Sequence, residues 1–269
     1  MQLEDSIIVI TGATAGIGAA TATVLAQSRC RLVLTGRRQE RLNELRSKLN
    51  LGPDRHLLIA GDITNEAFCN HLIEQTIAHF GRIDVLINNA GIGHNSNLAE
   101  IPSADFKKIW ETNLYGLAWL SQAAAQAMLA QAVEPHSSRR GQIINVSSIV
   151  GDRPLIKQGI YTASKAAVNG YSRGLRMELA KIKITVSLVY PGLTATEFHT
   201  AKLGPKRKPN FRSAGIEPSQ VAKKIQNAII KQKSEVYVTF YDWFFVQANR
   251  HFPRLTDQVF KHVANGSKD

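Results

Sequence analysis

A chain of 269 residues, 44% of them hydrophobic, is long enough to bury a sizeable core, and two cysteines exclude a disulfide-built scaffold. A formal net charge of +12 admits an anionic partner, but no nucleic-acid-binding module accompanies it and no nucleic-acid partner is expected. Cys30 and Cys69 have no partners at metal-ligand spacing, so they read as buried thiols in a reducing compartment, with no metal site.

In chain order, Glu4 and Asp5 stand where a secretory signal would need a basic start and an apolar core, so the expected location is cytoplasmic. Residues 6–10, Ser-Ile-Ile-Val-Ile, form a β-branched run that reads as a buried parallel strand. It leads into Thr11-Gly12-Ala13-Thr14-Ala15-Gly16-Ile17-Gly18, and the alanine-rich residues 19–28 read as the helix that follows. At such a turn, backbone N–H groups and a helix N-terminus can hold a pyrophosphate, which makes Gly12, Thr14, Gly16, Ile17 and Gly18 candidate cofactor contacts. The spacing here is Gly-x-x-x-Gly-x-Gly.

The second strand, residues 31–35, ends in Leu34-Thr35-Gly36-Arg37-Arg38. An acid at its end would bind the adenosine ribose and repel a 2′-phosphate. Gly36 removes that carboxylate and Arg37 supplies a guanidinium able to make forked phosphate contacts, so NADP(H) is expected over NAD(H). Arg38, with Glu40, Arg41 and Glu44, reads as the start of a charged surface helix.

Further strand-like runs at 56–60, 83–88, 142–146 and 184–190 alternate with helical segments, without linker or repeat. That pattern predicts one α/β domain over residues 1–269, a Rossmann-like doubly wound parallel sheet with helices on both faces. Residues 114–133 carry no charge over a membrane-span length, but their alanines with Ser121, Gln122, Gln126 and Gln131 favour a buried helix. Tyr161 and Lys165, four residues apart, share one helix face. A fixed ammonium there would favour the phenolate and bring the tyrosine closer to the neutral range for proton transfer.

These features resemble the short-chain dehydrogenase/reductase (SDR) family over roughly residues 5–200. The glycine turn, Asp62 after the third strand, Asn88-Asn89-Ala90-Gly91 after the fourth, Asn113, Ser148 after the fifth, the Tyr161/Lys165 pair and Pro191-Gly192 follow in family order. Ser148 precedes Tyr161 by 13 residues, which selects it over Ser147, since strand alternation lets only one of the two face the cleft.

The resemblance implies an NADP(H)-dependent oxidoreductase acting on a small-molecule carbonyl or secondary alcohol. In it Tyr161 would exchange a proton with the substrate oxygen, Ser148 would hold that oxygen, and Lys165 would lower the phenol pKa and bind the nicotinamide ribose. Asn113 would keep a water link from Lys165 to solvent, Asp62 would bind adenine, Asn89 and Gly91 would line the adenosine, and Thr194 would meet the carboxamide. A homodimer or homotetramer is implied through the uncharged helix and the Tyr161 helix. The alternative, a catalytically silent NADP(H)-binding redox sensor, has no need of Ser148, Tyr161 and Lys165. An extended-type epimerase would carry Gly-x-x-Gly-x-x-Gly instead.

Residues 198–216 hold Gly204, Pro205, Pro209 and Gly215 and read as a substrate lid. Its Lys202, Lys206, Arg207, Lys208 and Arg212 are either a lure for an acidic substrate or a solvated basic loop. Residues 201–269 hold 13 Lys+Arg against 5 Asp+Glu, so most of the net charge lies here. The extension 236–269 mixes Phe240, Tyr241, Trp243, Phe244, Phe245, Phe252 and Phe260 with Arg250, His251, Arg254 and Lys261. Packing over the pocket or in a subunit contact is the favoured reading, and peripheral contact with an anionic membrane the alternative. The substrate itself does not follow from the sequence.

Overall fold

The first strand, β1 (Ile7–Thr11), is buried along its whole length, as a strand with helices on both sides must be. Its alternate residues enter different layers. Ile8 and Ile10 join Leu32, Leu34, Leu25, Leu42 and the apolar stripe Val221, Ile225, Ile229. Ile7 and Val9 join Val33, Leu86, Leu72, Leu120 and Met128 on the other face. Burying one such side chain contributes about 1.5–3 kcal/mol, so this double-sided strand anchors both layers.

The computed structural model describes residues 2–133, 139–199, 201–205 and 215–258. Besides β1, the strands are β2 (Arg31–Gly36), β3 (His56–Ala60), β4 (Val85–Asn88), β5 (Gly141–Val146), β6 (Ile184–Tyr190) and β7 (Glu235–Tyr237). They form one sheet in the order β3-β2-β1-β4-β5-β6-β7, with every pairing parallel. The helices are α1 (Gly16–Ala26), α2 (Gln39–Leu49), α3 (Glu66–Phe80), α4 (Ser103–Trp110), α5 (Gly116–Ala130), α6 (Gly159–Ala180), α7 (Pro218–Lys231) and α8 (Phe240–His251). The chain moves outward from β1 through β2 to β3, then returns to place β4 on the other side of β1. That reversal opens a crevice at the strands' C-terminal ends.

Six strand segments lie close to where the sequence pattern puts them. The seventh, β7, is only three residues long, too short for any periodicity to announce it. The first helix starts at Gly16, three residues earlier than its alanine-rich stretch suggests.

The uncharged stretch becomes α5, preceded by a π-helical turn at Glu111–Tyr115. Gln122 and Gln126 are exposed, but Ser121 and Gln131 are used internally. Ser121 accepts from the buried Asn88 amide at 3.0 Å, and Gln131 donates to the Ile83 carbonyl at 2.7 Å while accepting the Ile83 N–H at 3.2 Å. No helix among the described residues is long and apolar enough to cross a membrane. Both cysteines are buried, and burial pushes Cys30 up to about 11 and Cys69 up to about 12.

Candidate active site

Gly12 and Gly16 adopt φ of +62° and +53°, a backbone region that favours glycine. A Cβ on Gly18 would stand 2.2 Å from the Gly12 carbonyl oxygen, so the turn closes only without a side chain there. The position before α1 is Ala15, which offers the helix's first N–H groups no side-chain acceptor. Such a cradle fits the pyrophosphate of a dinucleotide.

The end of β4 fixes the turn from outside. The Thr11 hydroxyl accepts from the Asn89 and Ala90 N–H groups, both at 3.0 Å. The Asn89 amide donates to the Thr11 and Gly12 carbonyls at 2.9 and 3.3 Å. Asn89, assigned by resemblance to the adenosine side, commits its amide to the turn itself.

At the end of β2, a Cβ on Gly36 would lie 2.8 Å from the Thr14 side chain, which gives this glycine a packing reason besides the loss of a carboxylate. Arg37 is exposed. Arg38 is the exposed residue that starts α2, as the sequence suggests, and its guanidinium also donates to the Thr14 hydroxyl at 3.4 Å, reaching back to the glycine turn. Asp62 accepts the Thr64 N–H at 3.0 Å, and the true cap of α3 is Asn65, which accepts from Phe68 at 3.1 Å.

On the other side of the crevice, the buried stripe of α6 includes Tyr161, Ser164, Lys165, Val168, Asn169 and Ser172. Lys165 Nζ donates to the Val146 carbonyl at 2.9 Å and lies 5.9 Å from the Tyr161 ring centroid. The two serines diverge as alternation requires. Ser147 donates to Asn169 Oδ1 at 2.5 Å, whereas Ser148 donates to the Pro191 carbonyl at 3.3 Å and interacts with the Tyr161 phenol.

The lowered tyrosine pKa expected from sequence is not what this burial produces. Burial pushes the Tyr161 phenol up to about 12, and a hydrogen bond with Ser148 only partly offsets this. The same burial pushes Lys165 down to about 8, because an ammonium is as costly to desolvate as a phenolate. Between about pH 8 and the ordinary lysine range the unfolded chain holds a proton here that the folded chain releases. Lys165 therefore weakens the fold below about pH 8, and that penalty fades as the pH rises.

Asn113 sits buried in the π turn, where both amide hydrogens are committed, one to the Ile92 carbonyl and one to Ser164 Oγ, each at 2.9 Å. Its Oδ1 accepts the Ile92 N–H at 2.8 Å. The side chain thus clamps the loop after β4 to α6. Gly91 lies inside that clamp, and a Cβ there would meet Asn113 Oδ1 at 3.3 Å and Lys165 Nζ at 3.6 Å. Thr194 is buried and donates to the Gly192 carbonyl at 3.1 Å.

A strap that begins at Thr196, just before the lid expected at 198–216, borders this crevice. Thr196 lies 3.1 Å from where a Gly16 Cβ would be, and Glu197 forms a forked ion pair with Arg41 of α2 at 2.9 and 3.1 Å. The Phe198 ring packs on Tyr161 with centroids 5.4 Å apart. Leu203 bridges to His94, with the Leu203 N–H donating to Gly93 at 2.9 Å. Beneath it, buried His94 is held between Asp105 and Ser96 at 3.1 and 3.2 Å. No periodicity or motif singles out Glu197, Phe198 or His94. Lys206, Arg207, Lys208, Pro209 and Arg212 of the expected lid lie outside the described residues, as do Phe260 and Lys261 of the extension.

Comparisons with known proteins agree with this geometry. The family model for short chain dehydrogenase matches residues 6–206. The chain is 30% identical over 266 residues to "Uncharacterized oxidoreductase YxnA" of Bacillus subtilis, covering 97% of this chain and 73% of the relative. It is 32% identical over 288 residues to an 11-beta-hydroxysteroid dehydrogenase of Pinus massoniana, covering 100% of this chain and 78% of the relative. A short chain dehydrogenase/reductase of Burkholderia phymatum, solved in complex with NAD, shares the fold with a TM-score of 0.84 at 23% identity, over 95% of this chain and 96% of that one. The chain is an oxidoreductase that belongs to the short-chain dehydrogenase family.

Proposed function

We propose that the protein is an NADP(H)-dependent reductase of a carbonyl group, working in reverse on the corresponding secondary alcohol. The observation that carries this reading is the meeting of Ser148, Tyr161 and Lys165 beside a glycine cradle whose neighbouring strand ends in Gly36-Arg37-Arg38 rather than in an acid. A relative named 11-beta-hydroxysteroid dehydrogenase supports hydroxyl and ketone chemistry.

In this reading Gly12, Thr14, Gly16, Ile17 and Gly18 hold the pyrophosphate, Arg37 and Arg38 bind the adenosine 2′-phosphate, and Asp62, Asn89 and Gly91 border the adenosine. Thr194, Tyr161 and Lys165 hold the nicotinamide end. A bound nicotinamide supplies the hydride to the substrate carbon or takes it back. A phenol raised to about 12 is protonated at neutral pH, so Tyr161 is poised to donate its proton to the substrate oxygen in the reductive direction. Ser148 orients that oxygen. Lys165 places a positive charge near the ring, and Asn113 keeps the surrounding loop in place.

Subunit association would use the outer face of α5 and α6. Tyr115, Leu129 and Met177 are exposed there, and a Cβ at Gly170 or Gly174 would meet nothing. A homodimer or homotetramer working in the cytoplasm is the arrangement proposed.

Titrating NADPH and NADH against the wild type and Arg37→Ala, alongside NADPH oxidation over a panel of ketones and aldehydes, tests the reading. The wild type should bind NADPH at least about tenfold more tightly, and Arg37→Ala should narrow that gap, since a charge-assisted contact contributes about 1.5–3 kcal/mol. Equal or tighter NADH binding would remove the arginine from the cofactor site, and no turnover across the panel would remove the reductase assignment.

A further inference from the structure

The aromatic residues at the start of α8 do not cover the pocket or one another fully. Phe240, Tyr241 and Phe244 are 70%, 81% and 58% exposed, although Phe240 packs against Phe244 and Trp243 with ring centroids 6.4 and 5.6 Å apart. Positions 240, 241 and 244 fall on one side of the helix. Farther along the chain Phe252 and Leu255 are also exposed.

The helix presenting these rings is firmly attached. Thr239 and Asp242 form a reciprocal cap, with both bonds at 3.0 Å. The Asn249 amide donates to the Asp152 carbonyl at 2.8 Å, and the buried Arg153 donates to Asn249 and Asp257 at 2.9 and 2.7 Å. The rings are therefore displayed by a fixed element.

Positive charge borders them on one side. Lys224 and Lys233 line a cavity of about 270 Å³ together with Glu235, Thr239, Phe240 and Trp243. Lys223, Lys231, Arg250 and Arg254 are exposed nearby in the chain, and none of these six cations makes an ion pair among the described residues. The acidic groups of the region are matched by other partners: Glu235, on the cavity wall, faces Arg173 and Arg176, Asp242 is buried in its cap, and Asp257 pairs with Arg153.

We propose that this face docks peripherally on an anionic lipid bilayer, with Phe240, Tyr241 and Phe244 among the headgroups and the flanking lysines facing lipid phosphates. Aromatic rings on one face of α8 beside the cations Lys224 and Lys233 are the combination an anionic interface binds. A second copy of the chain fits less well, because a two-fold contact through this patch would bring like charges together. Docking does not depend on the proposed reductase activity.

Vesicle co-sedimentation of the full chain tests it, using phosphatidylcholine vesicles with and without phosphatidylserine. The variants are the triple change Phe240→Ser, Tyr241→Ser, Phe244→Ser and the double change Lys224→Glu, Lys233→Glu. The wild type should pellet with serine-containing vesicles at low salt, while each variant binds at least about tenfold more weakly, on a scale of roughly fivefold per cation. Thermal melting and turnover of a water-soluble carbonyl should be unchanged in both variants. Wild-type protein that stays in the supernatant overturns the proposal, as does pelleting insensitive to lipid charge or to both variants. A drop in oligomeric size of the variants on gel filtration, without vesicle binding by the wild type, overturns it in favour of a contact between copies.

Discussion

The glycine turn and the strap beside it border the same crevice but are built differently. The turn takes its shape from its own backbone, with two glycines at positive φ and a third position where a Cβ would strike a carbonyl at 2.2 Å, and it is held from outside by bonds between Thr11, Gly12 and Asn89 at the end of β4. The strap is held by side chains from distant elements, with Glu197 on Arg41, Phe198 on Tyr161 and Leu203 beside His94. A turn whose glycines leave no room for a Cβ tolerates little change at those positions. A strap made from separate, partly exposed contacts can vary one contact at a time.

Breaking the turn should have the larger effect. Gly18→Ala must displace either its own backbone or the Gly12 carbonyl, at an overpacking cost of roughly 1–3 kcal/mol. Dinucleotide affinity should fall about ten- to hundredfold by calorimetric titration. An affinity equal to wild type would mean that the turn is softer than its geometry indicates.

Breaking the strap should do less. Glu197→Gln removes an ion pair whose side chains are 59% and 38% exposed, the kind of surface pair that contributes about 0–1 kcal/mol. KM should rise by less than about fivefold at low salt, with the difference shrinking as ionic strength increases and kcat little changed. A collapse of kcat would show that the Arg41–Glu197 pair holds the reacting groups rather than the strap.

The same contrast explains what the sequence made legible. The strand runs rest on short-range periodicity and lie where it puts them; the glycine turn joins β1 to α1, and Tyr161 and Lys165 share the buried stripe of α6 that their spacing implies. Arg38 begins the charged helix as its local pattern indicates, but its contact with Thr14, 24 residues away, lies outside that pattern. Glu197 and Arg41 are 156 residues apart, a pairing that only the fold creates. The tyrosine shift was expected in the wrong direction because the sequence displays a neighbouring charge but not the depth of burial, and burial dominates here. The three-residue β7 and the polar duties of Gln131 likewise depend on neighbours brought from elsewhere.

The central claim is that the Tyr161 hydroxyl delivers the proton, and Tyr161→Phe tests it most directly because the ring that packs on Phe198 is retained. Single-turnover reduction of a substrate found in the ketone panel, paired with NADPH titration, separates chemistry from binding. NADPH affinity should stay within about twofold of wild type while the chemical step slows by at least roughly 10²-fold. Retention of more than about a tenth of the wild-type rate, which would leave less than 1.4 kcal/mol of barrier on this group, would contradict the claim.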